Sequence, residues 1–135
     1  IPTYTSIPTR RSTATVTPTA TATWQYIARP TPKISIFTCN QPGVFSSNEV
    51  IPFQWTWPGT LRADEYLELR IGPKGSSNLN SVGAVPSDVN VVWSVAVSQF
   101  YQSTAYDYHW EIVHMAKDRK TVLARSDRGC VHITP

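Results

Sequence analysis

Tyr106–Met115 reads Y-D-Y-H-W-E-I-V-H-M. Its heavy side chains fall on every second residue: Tyr106, Tyr108, Trp110 and Ile112. A period of two belongs to an extended strand, and a face of aromatic rings needs a second layer to lie against. Working outward, the same alternation recurs at Ile51–Trp57 (I-P-F-Q-W-T-W), where Phe53, Trp55 and Trp57 oppose Gln54 and Thr56. At Glu65–Ile71 (E-Y-L-E-L-R-I), Leu67, Leu69 and Ile71 read as inward and Tyr66, Glu68 and Arg70 as outward. Val91–Val97 (V-V-W-S-V-A-V) sets Trp93, Val95 and Val97 on one face. Lys33–Cys39 is expected to be the first strand of the domain, and Val44–Phe45 a short extended piece. Thr121–Arg125 is expected to pair back on Tyr106–Met115 across the charged turn Lys117–Lys120. Asp127–Gly129 reads as a bend or bulge, Cys130–Ile133 as the closing strand, and Gly72–Asn90 as loop-rich. No helical period is sustained, so the class is all-β.

The runs F-Q-W-T-W, Y-L-E-L-R-I and Y-D-Y-H-W-E-I-V resemble the B, C and F strands of fibronectin type III and immunoglobulin-like modules on bacterial surfaces. The resemblance covers about residues 33–135 and implies an immunoglobulin-like (fibronectin III-like) β-sandwich of about seven strands. The antibody-type Cys-Trp-Cys layout is missing, because Cys39 and Cys130 fall on the first and last expected strands. The two cysteines admit a bridge that staples the ends of the sandwich, or two isolated buried thiols. Beside a Thr/Pro-rich segment the bridge suits an oxidising, extracellular setting.

Residues 1–32 differ in kind. Thr13–Tyr26 reads T-A-T-V-T-P-T-A-T-A-T-W-Q-Y, with threonine at every odd position from Thr13 to Thr23. The even positions carry Ala14, Val16, Pro18, Ala20, Ala22, Trp24 and Tyr26. This is again strand alternation, one face hydroxylated and the other apolar. Pro30-Thr31-Pro32 favours stiff polyproline geometry that holds the segment away from the domain. Three destinations are open to it: a glycosylated stalk, a fold-back on its own domain, or addition to the sheet of a neighbouring copy. Neighbour addition accounts for both the alternation and the Trp24/Tyr26 pair, and resembles the donor-strand logic of surface fibres. Val16, Ala20, Ala22, Trp24 and Tyr26 would then form the intersubunit face, with Trp24 and Tyr26 as anchors. Thr13, Thr15, Thr17, Thr19, Thr21 and Thr23 would point outward, either as O-glycosylation sites or as a plain β-forming row. The expected partners are copies of the same chain.

Other chemistry finds little footing. The net charge of +3 comes from Arg10, Arg11 and Arg29, while the remaining nine basic and nine acidic residues cancel. Three scattered arginines do not make a nucleic-acid surface. No stretch is long and apolar enough to cross a membrane, and a chain that opens on Ile1 is consistent with an upstream signal or anchor having been removed. His109 and His114 are five apart and face opposite sides of a strand, so a shared metal is not expected and the histidines read as surface or packing residues. Glu65 and Glu68 likewise diverge and make no glycosidase pair. There is no G-x-S-x-G, P-loop or C-x-x-C. No enzyme activity and no cofactor are expected. The expectation is a structural subunit of an extracellular filament. The alternative is a carbohydrate-binding or adhesion module on a glycosylated linker, with exposed tryptophans as its platform. A third reading is a monomeric extracellular sensor domain.

Overall fold

The computed structural model describes residues 29–85 and 92–135. The Thr13–Tyr26 segment, with its proposed anchors and glycosylation positions, lies outside the described residues. Nine strands are described, β1 Lys33–Ile34, β2 Gly43–Ser46, β3 Val50–Thr56, β4 Tyr66–Pro73, β5 Asn80–Val85, β6 Val92–Ala96, β7 Asp107–Met115, β8 Val122–Arg125 and β9 Gly129–Thr134, with one 3₁₀ turn at Val97–Gln99. They form two sheets, β1-β3-β6 and β2-β9-β7-β4-β5, with β8 also on β7. The fold is all-β, as the alternation requires.

The sheets pack face to face through the heavy faces of β3, β4 and β7. Phe53 and Trp55 from the smaller sheet and Leu67, Leu69, Trp110 and Ile112 from the larger one are fully buried. The Phe53 and Trp110 rings sit 4.7 Å apart across the interface. Tyr106 was expected on the heavy face of β7, yet it precedes the strand and is 46% exposed. Its neighbour Tyr108 is buried, and the Tyr108 hydroxyl accepts from the Gln102 N–H at 2.8 Å and donates to the Ala105 carbonyl at 3.0 Å. This is the geometry of a tyrosine corner, which ties the loop before β7 to the strand. Tyr108→Phe leaves the Gln102 N–H without that acceptor. It should cost about 1–3 kcal/mol, read as a lower urea midpoint with unchanged slope.

Both faces of β7 are covered. On the outer face Glu111 is 2% exposed and Val113 and Met115 are buried as well. Long cationic side chains lie over them: Arg125 and Arg128 stand 3.7 and 3.8 Å from Glu111, and Arg70 bonds Glu68 at 2.7 Å. Glu68, expected outside, does face outward but is buried beneath this layer.

β8 and β9 run end to end along one side of β7, with β8 on Val113–Met115 and β9 on Asp107–Trp110. The break falls at the expected bend. Ser126 fills it: its N–H donates to the Ile112 carbonyl at 2.9 Å and its Oγ accepts from the Ile112 N–H at 3.0 Å. β2 runs parallel to β9, and the other pairings are antiparallel.

Two further expectations need correction. Lys33–Cys39 is not one strand: β1 stops at Ile34, because Phe37 takes a left-handed φ of 51°. That turn aims the Phe37 carbonyl at the Cys130 N–H (2.7 Å) and the Trp110 Nε1–H (3.1 Å). Gly72–Asn90, expected to be loop-rich, holds the end of β4 and all of β5, which pairs with β4. The run N-S-V-G-A-V hides its strand because the register shifts opposite Leu69/Arg70 and Gly83 sits at φ 132°. A side chain at Gly83 would be strained by this φ, and its Cβ would press on the Trp93 ring at 3.2 Å.

Candidate functional site

Two arrangements stand out, at opposite ends of β7. At its C-terminal end, the start of the described chain is tied to the sandwich. Arg29 Nη1 lies 3.1 Å from each oxygen of Glu65. Glu65 Oε1 also lies 2.9 Å from His114 Nε2 and accepts from the Arg62 N–H at 3.2 Å. The Pro30 carbonyl accepts from Trp57 Nε1 at 3.0 Å, and the Trp57 ring meets the His114 ring edge-on at 4.9 Å. The strand alternation that buries Trp57 thus also directs its N–H at the incoming chain. Fixed contacts with the sandwich reach back to Arg29.

Glu65 feels opposed influences. Burial pushes its pKa up, but the Arg62 amide, His114 and Arg29 together hold it below the ordinary 4.5. A carboxylate with a depressed folded-state pKa stabilises the fold fully above its unfolded-state value and loses that contribution as pH falls through the lower one. Glu65→Gln should therefore lower stability at neutral pH and flatten the acid limb of the stability curve below pH 4.5. Urea unfolding at stepped pH reads both effects, and an unchanged acid limb would count against the linkage.

At the other end of β7 lies a groove of about 370 Å³. Its walls are Pro42, Val44 and the Cys39–Cys130 disulfide, with His109 and His132 beside them. The bridge joins the turn after β1 to β9, with Cα atoms 4.7 Å apart, and settles the choice between bridge and free thiols. Cys130 faces His109 across the β7–β9 pairing. Burial first, then the charges of Arg128 and Lys74, hold His109 below its ordinary 6.5, so the imidazole is neutral at neutral pH. His132 Nδ1 lies 2.7 Å from Asp107 Oδ1 on the exposed rim. The sulfurs of Cys39 and Cys130 and a His109 nitrogen lie within 4.8 Å of one another. The sulfurs are bonded to each other, so no thiolate stands ready for a metal while the bridge is intact.

The histidines therefore have three settings: His114 buried against Glu65, His109 in the groove wall, His132 on the rim. Glu65 and Glu68 are parted as expected, one on His114 and Arg29, the other on Arg70. Trp55, Trp57 and Trp110 are core, and Trp93 is partly buried against it. The Arg29–Glu65–His114 contact was not foreseen, because its members come from distant parts of the chain with no local pattern linking them. Among the described residues no helix is long and apolar enough to cross a membrane. No family model, curated protein or solved structure matches the chain.

Proposed function

We propose that this chain is a structural subunit of an extracellular filament, an immunoglobulin-like, fibronectin III-like sandwich that passes its N-terminal strand to a neighbouring copy. The observation that carries the reading is the anchorage of Arg29 and Pro30. It fixes the root of the alternating Thr13–Tyr26 ribbon at one end of the sandwich. A strand held at its root has less freedom to lose on docking, which favours strand donation. The three-stranded and larger sheets, with β3, β4 and β7 at their centres, support the fibronectin III-like type, as does the tyrosine corner. The disulfide supports an oxidising location. A donor on one end and an acceptor elsewhere on the body make a head-to-tail contact, which grows into an open helical polymer unless the rotation closes. The odd threonines from Thr13 to Thr23 form its outer, O-glycosylated face. The buried tryptophans weigh against a sugar platform built from Trp55, Trp57 or Trp110.

Removing residues 1–28, which leaves the Arg29 contact in place, tests the reading. The full chain should form fibres visible by negative-stain microscopy and the shortened chain should stay monomeric in sedimentation. Fibres from the shortened chain would overturn it.

A further inference from the structure

We infer that the groove beside the Cys39–Cys130 disulfide is the acceptor for Trp24 of a second copy of this chain. The inference rests on the filament reading and names its receiving surface.

Val44 is the most exposed of the large apolar side chains among the described residues, at 66%. It stands on β2, which pairs with β9 on one side and with no described strand on the other. Open strand edges are ordinarily guarded by charge, since their free N–H and C=O groups recruit other strands. β2 reads Gly43-Val44-Phe45-Ser46; Glu49 occupies the Ser46 N–H and carbonyl, which leaves Val44 as the open, uncharged position of this edge. An incoming strand can hydrogen-bond at Val44 while one of its side chains drops into the groove.

The groove suits an indole. Its volume lies at the lower end of the roughly 300–1,000 Å³ usual for ligand pockets. Pro42, Val44 and the disulfide give apolar and sulfur contacts, which aromatic rings favour. The neutral His109 ring adds an aromatic wall, and the Asp107 carboxylate on the rim can accept from an indole N–H.

Reach favours another molecule. Trp24 stands five residues before Arg29, so it extends at most ~17 Å from the anchorage. Glu65 holds Arg29 one step beyond the Tyr66–Met115 pair, at one end of β7, whereas the groove flanks Tyr108 near the other. That run of strand is roughly 25 Å long. Only a fully extended segment would bring the ring near its own groove, whereas a neighbour's groove is open to it at any extension.

Sedimentation of the full chain, of Val44→Lys and of Trp24→Ala over a range of concentrations tests the assignment. Each variant should need at least about tenfold more protein to associate than the parent. Val44 is exposed, so the lysine leaves the core intact. An equimolar mixture supplies the decisive measurement. Val44→Lys retains a good strand, Trp24→Ala retains a good groove, and together they should form capped heterodimers that neither forms alone. If Val44→Lys assembles like the parent while Trp24→Ala does not, the groove assignment fails and the strand reading stands. If Trp24→Ala and the chain lacking residues 1–28 both assemble like the parent, or the parent never assembles, both fail. A mixture without heterodimers also overturns the groove.

Discussion

Replacing Cys39 and Cys130 together by serine should destabilise the fold by about 4.5 kcal/mol. The bridge closes a loop across a sequence separation of 91 residues. In the chain-entropy model a loop of that length restricts the unfolded chain by this amount. For a domain of this size the melting temperature should fall on the order of 20 °C. Calorimetry of the double variant, or of the parent with and without dithiothreitol, measures it. A loss below about 1 kcal/mol would show that the unfolded chain gains little freedom when the bridge is gone. The native side offers some resistance to opening, because Thr38 pairs with Gly129 and the Phe37 carbonyl holds the Cys130 N–H at 2.7 Å. The turn should therefore stay in place in the serine variant, and the effect should appear in stability more than in structure.

Gly129→Ala should cost at least about 3 kcal/mol, from a single added methyl group. A Cβ there would lie 2.1 Å from Trp110 Nε1 and 2.5 Å from the Phe37 carbonyl oxygen. Neither neighbour has room to yield. The Trp110 ring is fully buried against Phe53, and the Phe37 oxygen accepts two hydrogen bonds from a backbone already at φ 51°. Overpacking and the loss of the buried Nε1–H bond add together. Gly75 is the control. It has φ 93° with nothing within 4 Å of a Cβ, so alanine there should cost only about 1 kcal/mol, through backbone strain alone. Equal losses at the two sites would refute the steric account. Chemical denaturation with matched slopes decides it.

The contrast between these glycines shows what could be read from the amino-acid order. The heavy faces of β3, β4 and β7 were legible because each alternates without interruption and the strand period needs no partner to be seen. The Asp127–Gly129 bend was legible from its composition, but that Gly129 is pressed against Trp110 depends on Phe37, which arrives from the far end of the domain. β5 escaped notice because its bulge breaks the period, and β1 was read too long because the turn at Phe37 is imposed by tertiary hydrogen bonds. The cysteine pair is visible in the sequence only as an alternative, because nothing local shows that Cys39 and Cys130 meet. The Arg29–Glu65–His114 contact was invisible, since its pairs are 36 and 49 residues apart. Val44 looks like any strand valine until its edge is seen to be open.

The disulfide also decides how the molecule responds to tension. A pull on Arg29 and Pro135 runs through β1 to Cys39, crosses the sulfur–sulfur bond to Cys130, and leaves along β9. The intervening polypeptide, some 300 Å when drawn straight, is bypassed. Such a subunit lengthens little under load, and most of the sandwich hangs beside the line of force.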